Sequence, residues 1–307
     1  MICCIIGKGS IGNRHAKILE NLNVKVMFIR RKPNILKKNE ISFNYKYLDK
    51  INFFIIANPS SLHLTTIKKI IHFNKPILVE KPFVTQRKFS NIIKNFEKLF
   101  VLYQMRFDPR IKFIKKKIEK EKIKKGNFIW KTFLPNWHNY EDYKKSYASR
   151  KNLGGGVIFT MSHEIDTAIF LLGKVKKVFA KKNKNKLNID VEDNVQIKLY
   201  HDKNYITNLQ LSFASKKNER YFNIELSNNN YYSWNFFENK VQTKHKHYNF
   251  RLNNENIYKK QMKKLLLNLN KKNYTKSEIN LKKILHTQDV INACIDSLNK
   301  KKLVKLN

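Results

Sequence analysis

Through the first third of the chain, short apolar runs alternate with more polar stretches in which the apolar residues recur at helical spacing. Helical spacing is present near 62–73 and 86–98, and strands that alternate with helices of this length form parallel sheets with right-handed crossovers. The pattern therefore predicts an α/β domain with a doubly wound parallel sheet over residues 1–120. The predicted strands are at 2–6, 24–29, 52–59, 76–82 and 99–107.

The pattern changes after about residue 120, where longer stretches alternate strictly between apolar and polar residues. Alternation of this kind is typical of antiparallel strands with one face in solvent. A final helix is predicted over 278–300, with an apolar stripe and Ser277 as a possible N-cap. Residues 121–307 are thus expected to form an α/β domain with a largely antiparallel open sheet, through which the chain forms a homodimer or homotetramer. The stretches are "NVQIKLY", "NYITNLQLSFA" and "YFNIELS".

The net charge of the 307-residue chain is +40, which raises the question of nucleic-acid binding. Only nine of the 63 basic residues are arginine, the residue that is best suited to bidentate contacts with phosphates and bases. The lysines are spread through every segment. We therefore interpret the charge as a compositional bias and expect no specific nucleic-acid partner. The alternative predicts duplex binding with a steep dependence on salt.

The cysteines and the N-terminus indicate the compartment. Cys3, Cys4 and Cys294 lack the spacing of a zinc site and leave an odd thiol, which fits a reducing cytosol. The apolar run after Met1 is too short for a signal peptide or a membrane span. We expect a cytoplasmic protein with no metal and no membrane partner.

Glycine is scarce, with eight residues in the chain, and three of them follow the first predicted strand. Gly7, Gly9 and Gly12 match G-x-G-x-x-G, and Ser10 and Ile11 lie inside the motif where a helix is expected to begin. These glycines would supply a tight turn, an approach for a pyrophosphate and close helix packing, respectively. The motif predicts a Rossmann dinucleotide-binding domain.

The end of the second predicted strand bears on the choice of cofactor. A carboxylate that binds the ribose of NAD is expected there, but Arg30 and Arg31 occupy the position. Two arginines favour a 2′-phosphate, so the sequence predicts NADP over NAD. The alternative is a solvated basic turn.

A second group of cofactor-binding candidates follows the strand at 52–59. Asn58, Pro59, Ser60 and His63 lie where the carboxyl ends of parallel strands bind ligands. Pro59 breaks the strand, and Asn58, Ser60 and His63 are expected to face the nicotinamide ribose. For His63 alone, a helix cap or a surface position is the alternative.

Five motifs follow one another along the chain: "GKGSIGNRH", "ANPSSLH", "VEKP", "RFDP" and "LGGGVIFTMSHEID". Taken together, they resemble the glucose-fructose oxidoreductase / inositol dehydrogenase family (Gfo/Idh/MocA) over nearly the whole chain. Within that family, residues 135–156 are similar to the substrate loop of sugar oxidoreductases from surface-polysaccharide and acylated-sugar pathways.

The resemblance implies roles for individual residues. Lys81 would be the catalytic lysine beside the nicotinamide, with Glu80 before it and Pro82 positioning it. His163 would act as general acid/base with Lys81, and Asp166 would bind a neighbouring substrate hydroxyl. The alternative for Lys81 is a surface lysine that ends a strand.

One position departs from the family pattern. Relatives carry a carboxylate three or four residues before the histidine, whereas this chain has Thr160 and Phe159. A threonine can hydrogen-bond to substrate, but it cannot stabilise an imidazolium by charge. The sequence leaves three alternatives open: a mechanism with Lys81 and His163 alone, a slower enzyme, or a protein that binds the cofactor without turnover.

Further substrate-binding candidates lie in the aromatic loop and before it. Trp137, His138, Tyr147 and Arg150 offer flat faces and donors that suit a sugar, and Arg106 is expected to help build the cleft. Packing between domains is the alternative for the aromatic residues. The sequence thus predicts an NAD(P)-dependent oxidoreductase that transfers a hydride between nicotinamide and a carbon of a sugar or nucleotide-sugar.

Overall fold

The computed structural model describes residues 1–29, 39–41, 48–137, 141–252 and 254–306. The chain forms two compact units, each built from two segments. The first contains Met1–Gln104 and Glu255–Leu285, and the second contains Met105–Asn254 and His286–Asn307. The division into domains at residue 120 stays a prediction.

Strands and helices alternate in the first unit, and long strands dominate the second. The strands are β1 (Ile2–Ile6), β2 (Lys25–Ile29), β3 (Glu40–Ile41), β4 (Phe53–Ile56), β5 (Ile77–Val79), β6 (Leu99–Val101), β7 (Ile123–Phe133), β8 (Val175–Lys182), β9 (Asn194–His201), β10 (Ile206–Ser212), β11 (Ala214–Leu226), β12 (Tyr231–Asn235), β13 (Lys240–Thr243), β14 (His247–Asn249) and β15 (Val304–Lys305). The helices are α1 (Ser10–Glu20), α2 (His63–Ile70), α3 (Asn91–Asn95), α4 (Pro109–Ile118), α5 (Val157–Thr160), α6 (Ser162–Leu172), α7 (Asn254–Asn270) and α8 (Leu281–Lys300).

The first unit is built on a parallel sheet with the strand order β3-β2-β1-β4-β5-β6. This is the order of a doubly wound dinucleotide-binding sheet, with its switch point between β1 and β4. All four residues of β4 are buried, because the central strands of such a sheet are covered on both faces. The predicted Rossmann fold is confirmed.

The second unit contains a nine-stranded sheet with the order β14-β13-β12-β11-β7-β10-β9-β8-β15. Neighbouring strands are antiparallel except β7 and β10. The predicted class, an α/β domain with a largely antiparallel sheet, is confirmed.

The two faces of this sheet differ in character. On one face Phe128 stacks on Phe222 at 4.8 Å between ring centroids, and Phe222 stacks on Trp234 at 5.2 Å. On the other face Lys131 and Glu219 approach to 3.9 Å with partly exposed side chains. The apolar and polar positions of the strands therefore lie on opposite faces, as the alternation predicts.

Several helix boundaries differ from the prediction. The helix predicted over 86–98 is reduced to α3, and α4 and α7 were not predicted. The last helix begins at Leu281, because the Asn280 side chain accepts the backbone N–H of Lys282 at 3.1 Å. The predicted cap at Ser277 is wrong, since its hydroxyl has no hydrogen-bond partner among the described residues.

The structure also bears on the cysteines, on membrane-spanning helices and on metal-ligating side chains. Cys3, Cys4 and Cys294 are buried free thiols, and burial raises the pKa of Cys4 to about 12. Among the described residues, no helix is long and apolar enough to cross a membrane. In the same part of the chain, no group of three or more metal-ligating side chains is found.

Candidate active site

The glycine motif forms the turn between β1 and α1. Gly7 has φ +116°, and a Cβ on it would lie 2.5 Å from the carbonyl carbon of Ala57. A Cβ on Gly12 would lie 2.0 Å from the carbonyl oxygen of Gly7. Both contacts are shorter than real Cβ contacts, so glycine is required at these positions for the turn and for the packing of α1 against it.

Gly9 differs from both, since a Cβ there would meet no atom within 4 Å. This residue is the N-cap of α1, and it supplies no side chain to the first N–H groups of the helix. The first turn of α1 contains no acidic residue. Open space before a bare helix N-terminus is suited to an anion, so Gly9, Ser10 and Ile11 fit the pyrophosphate of a dinucleotide.

The other predicted cofactor residues lie at the same edge of the sheet. Ile6, Ile56 and Val79 are aligned across β1, β4 and β5, so the residues that follow each strand share its carboxyl edge. Asn58 donates from Nδ2 to the hydroxyl of Thr66 at 2.9 Å. Ser60 is buried and follows Pro59 in a short 3-10 turn.

His63 joins two loops of this edge. Its Nε2 lies 3.0 Å from the carbonyl oxygen of Asn58, and its Nδ1 lies 3.0 Å and 3.1 Å from those of Pro82 and Phe83. Burial lowers the pKa of His63, and the carbonyl contacts oppose this shift. The residue thus ties the loop after β4 to the turn that contains Lys81, and its contact with the cofactor stays a prediction.

The turn after β5 is held by a histidine to which the sequence analysis gave no role. His15, fully buried on α1, places its Nε2 2.6 Å from Oε1 of Glu80. The second oxygen of Glu80 accepts the backbone N–H of Lys81 at 3.1 Å, and the Lys81–Pro82 peptide is cis. The backbone of the predicted catalytic lysine is therefore anchored to the helix that follows the glycine motif. His15 is the last residue of the motif "GKGSIGNRH". Its place in that motif was the sequence signal that could have identified it as a site residue.

A carboxylate near the end of β2 was also missed. Glu40 lies opposite Phe28 in the β2–β3 register, and its side chain pairs with Lys8 of the glycine motif. A carboxylate at this edge can accept hydrogen bonds from ribose hydroxyls. Arg30 and Arg31 lie outside the described residues, so the predicted preference for NADP stays a prediction.

In the second unit, Asp166 is fully buried and held from two sides. Arg106 donates to both of its oxygens, from Nε at 2.9 Å and from Nη2 at 2.7 Å, and the Thr287 hydroxyl donates at 2.9 Å. A substrate hydroxyl would have to share these oxygens with their present donors. The substrate contacts of Arg106 and Asp166 stay predictions, while the pair itself fixes the middle of α6.

His163 and Thr160 stand on consecutive short segments after the glycines 154–156. Thr160 ends α5 and His163 lies in the first turn of α6, and both are buried. Their predicted roles at the substrate stay predictions.

Glu192 is a third residue that the sequence did not reveal. It accepts the backbone N–H of Ile158 in α5 at 3.2 Å, and a Cβ on Gly156 would lie 2.4 Å from its Oε1. Burial raises the pKa of Glu192 to about 7, and the hydrogen bonds oppose the shift. Perturbed carboxylates of this kind occur at functional sites as well as in structural networks.

The residues of the predicted substrate loop lie in different environments, some packed on the sheet and others exposed to solvent. Trp137 packs on the sheet, where its indole N–H donates to Thr132 at 3.0 Å and its ring stacks on Trp130. Tyr147 and Arg150 are exposed, and His138 lies outside the described residues. Substrate binding by these residues stays a prediction.

Comparison with known proteins finds a family match for a segment of the second unit. The mixed sheet is that of an α/β protein, and residues 113–230 match the model described as "GFO/IDH/MocA C-terminal domain". This segment, which contains β7 to β11, is similar to the Gfo/Idh/MocA family, and the resemblance predicted from the sequence is confirmed. A curated relative, "Putative oxidoreductase YteT" of Bacillus subtilis (strain 168), is 26% identical over 142 residues. That match covers 43% of this chain and 33% of the relative.

Solved structures match the fold over its full length. Levoglucosan dehydrogenase in complex with NADH and levoglucosan has a TM-score of 0.84 at 15% identity, with 99% of both chains covered. The WlbA dehydrogenase from Bordetella pertussis, in complex with NADH and UDP-GlcNAcA, has a TM-score of 0.81 at 15% identity and covers 100% of this chain and 99% of its own. GenD2 from gentamicin A biosynthesis, in complex with NAD, has a TM-score of 0.82 at 14% identity and covers 100% of this chain and 96% of its own. Likeness at this identity establishes the fold alone.

Proposed function

We propose that this protein is an NAD(P)-dependent oxidoreductase that transfers a hydride between nicotinamide and a carbon of a sugar or nucleotide-sugar. The observation that carries the proposal is the edge of the parallel sheet. There the open space at Gly9 and the bare N-terminus of α1 follow β1, and the anchored turn at Lys81 follows β5, the strand on the other side of β4. Dinucleotides bind at this place in doubly wound sheets.

The similar structures support the substrate class. Levoglucosan dehydrogenase and the WlbA dehydrogenase bind levoglucosan and UDP-GlcNAcA, respectively, together with NADH. A sugar or nucleotide-sugar is therefore the class to which the proposal extends. A place in surface-polysaccharide biosynthesis rests on the resemblance of residues 135–156 to the substrate loops of that branch.

The protein's part in the reaction is to bind, orient and exchange a proton. The nicotinamide, when bound, supplies or accepts the hydride. The amine of Lys81 would take the proton from the reacting hydroxyl during oxidation and return it during reduction, and His163 would assist as general acid/base. Glu80 and His15 are positioning residues, because they hold the Lys81 backbone.

The test is turnover of nicotinamide at 340 nm with sugars and nucleotide-sugars, for the native chain and for Lys81→Met. A catalytic Lys81 predicts a fall in kcat of about 100-fold or more with cofactor affinity changed less than about threefold. Lys88→Met is the matched control, since Lys88 is an exposed lysine of the same region. Equal kcat values for Lys81→Met and the native chain would remove Lys81 from the mechanism.

A second candidate is a dinucleotide-binding protein with weak or no turnover, and Thr160 favours it. Threonine replaces the carboxylate that relatives carry before the histidine, and this residue is buried beside α6. Under this candidate the native chain binds NADH without turnover, and Thr160→Asp gains activity. Robust turnover by the native chain would eliminate it.

A further inference from the structure

Two of the glycines before α5 are packed closely against other parts of the second unit. A Cβ on Gly155 would lie 2.5 Å from the carbonyl oxygens of Tyr147 and Ala148. A Cβ on Gly156 would lie 2.4 Å and 2.6 Å from the two carboxyl oxygens of Glu192. Gly156 also has φ +100°, a conformation that other residues rarely adopt. Glycine at this position therefore allows the Glu192 side chain to approach the backbone that leads into α5.

Glu192 holds the first turn of α5 through two acceptors. Its backbone carbonyl oxygen accepts the N–H of Val157 at 3.2 Å, and its Oε1 accepts the N–H of Ile158 at 3.2 Å. The first N–H groups of a helix have no acceptor within the helix itself. The Glu192 side chain thus caps α5 from a position 34 residues further along the chain.

The segment that carries Glu192 is itself fixed to its surroundings. The next residue, Asp193, is fully buried, and its Oδ2 accepts the backbone N–H groups of Lys186 and Leu187, both at 2.7 Å. The backbone carbonyl of Asp193 accepts the N–H of Phe213 at 2.7 Å. Because its backbone is anchored in this way, Glu192 can serve as a fixed point for α5.

The following helix, α6, is held by other groups. Asp166 pairs with Arg106 at 2.7 Å, and Glu164 pairs with Arg220 at 2.6 Å, all in buried positions. By contrast, the four residues of α5, "VIFT", include no charged side chain. Loss of the Glu192 contact is therefore expected to release α5 while α6 stays in place.

We propose that Glu192 is a positioning residue of the proposed active site, whose carboxyl group holds α5 and so sets the position of Thr160 at the end of that helix. Thr160 stands three residues before His163, the predicted general acid/base. The inference rests on the proposed function only in taking Thr160 as a substrate-binding residue. The hold of Glu192 on α5 requires neither cofactor nor substrate.

Proton binding by Glu192 is coupled to this hold. Burial raises the pKa of Glu192 to about 7, the backbone N–H groups of Glu192 and Ile158 and the charge of Lys182 oppose the shift, and the charge of Asp193 adds to it. When α5 moves away, the carboxyl group meets water and its pKa returns toward the ordinary value of 4.5. Between these two values, release of α5 also releases a proton, so a rise in pH favours release.

The experiment measures hydrogen–deuterium exchange of the α5 and α6 amides by mass spectrometry, in the full chain without ligands. Exchange at about pH 5.5 and about pH 8 is corrected for the intrinsic effect of pH, and α6 is the internal reference. In the native chain we expect the opening of α5 relative to α6 to increase about tenfold or more between the lower and the higher pH.

Three variants test whether the carboxyl group is the cause. Glu192→Gln keeps an acceptor for Ile158 but cannot ionise, so the opening of α5 should be the same at both pH values. Glu192→Ala removes the acceptor and should increase the opening of α5 about tenfold at the lower pH, with α6 unchanged. Asp190→Asn is the matched control, because this exposed carboxylate binds the N–H of Lys151 at 2.8 Å, outside α5. It should keep the pH dependence of the native chain.

Turnover has a separate readout, which distinguishes this inference from the proposed function. Positioning of Thr160 predicts a lower kcat in Glu192→Ala and its recovery in Glu192→Gln, with NADH affinity changed less than about threefold. If α5 responds as expected but the native chain turns over no sugar, the hold of Glu192 on α5 stands and the proposed function fails.

Three results would overturn the inference. They are equal opening of α5 in Glu192→Ala and the native chain, the same pH dependence in Glu192→Gln and the native chain, and an unchanged kcat in Glu192→Ala.

Discussion

The edge of the parallel sheet and the region around α6 are built by different means. At the sheet edge, backbone atoms form most of the site, through the glycine turn, the bare helix N-terminus and the carbonyls around His63. Around α6, charged side chains pair in buried positions, Arg106 with Asp166 and Arg220 with Glu164.

This difference determines which substitutions each region tolerates. A backbone site tolerates no added atom at Gly7 or Gly12. A site built from buried ion pairs loses stability when either partner is removed, because the other charge stays buried. The predictions below address one region or the other.

The largest effect is expected at the pair that holds α6. Asp166→Ala leaves Arg106 buried without its carboxylate and is expected to cost about 3–5 kcal/mol of unfolding free energy. Thr287→Val removes a single donor from the same carboxylate and is expected to cost about 1 kcal/mol. Urea unfolding of both variants measures the difference, and equal losses would show that the ion pair does not dominate.

The next largest effect is a difference in stability between alanine substitutions at two glycines of the same turn, Gly12 and Gly9. Gly12→Ala places a Cβ against the Gly7 carbonyl and is expected to destabilise the protein by about 2–3 kcal/mol. Gly9→Ala meets open space, so its unfolding free energy should stay within about 0.5 kcal/mol of the native value while NADH affinity falls about tenfold or more. Loss of stability in Gly9→Ala, or unchanged affinity, would contradict this account of the turn.

A pH-dependent effect is expected at Glu192. Its pKa is raised from 4.5 to about 7 in the folded protein, so between these values the folded state holds a proton that the unfolded state has lost. Stability therefore falls as the pH rises through this range, and it stays lowered above pH 7. Glu192→Gln keeps an acceptor for Ile158 and cannot ionise.

Unfolding of Glu192→Gln and of the native chain should differ little at pH 4, and the variant should be more stable by about 2–3 kcal/mol at pH 8. Asp190→Asn, in the same loop, is the control for the loss of one carboxylate from a chain of net charge +40. A difference that does not change with pH would show that Glu192 titrates normally.

The smallest effect concerns the choice of cofactor. If Glu40 faces the adenosine ribose, it repels a 2′-phosphate, and Glu40→Gln should shift the affinity ratio toward NADPH about three- to tenfold. Glu97→Gln, which removes an exposed carboxylate paired with Lys282, is the matched control. The same ratio in both variants would place Glu40 away from the ribose.

The sequence predicted what short-range patterns encode. The glycine turn, the buried parallel strands and the alternating strands follow from spacing within a few residues, and the motifs around Lys81 and His163 carried the family resemblance. The pairs His15–Glu80, Arg106–Asp166 and Arg220–Glu164 join residues 65, 60 and 56 positions apart. No local pattern encodes such a partner, so these pairs emerged only from the fold.

The most direct test of the central claim is a fluorescence titration of the purified protein with NADH and NADPH, beside Gly9→Ala. The account predicts saturable binding of at least one dinucleotide by the native chain, and binding about tenfold weaker or more in a folded Gly9→Ala. Binding of neither cofactor by the folded native chain would contradict the oxidoreductase assignment.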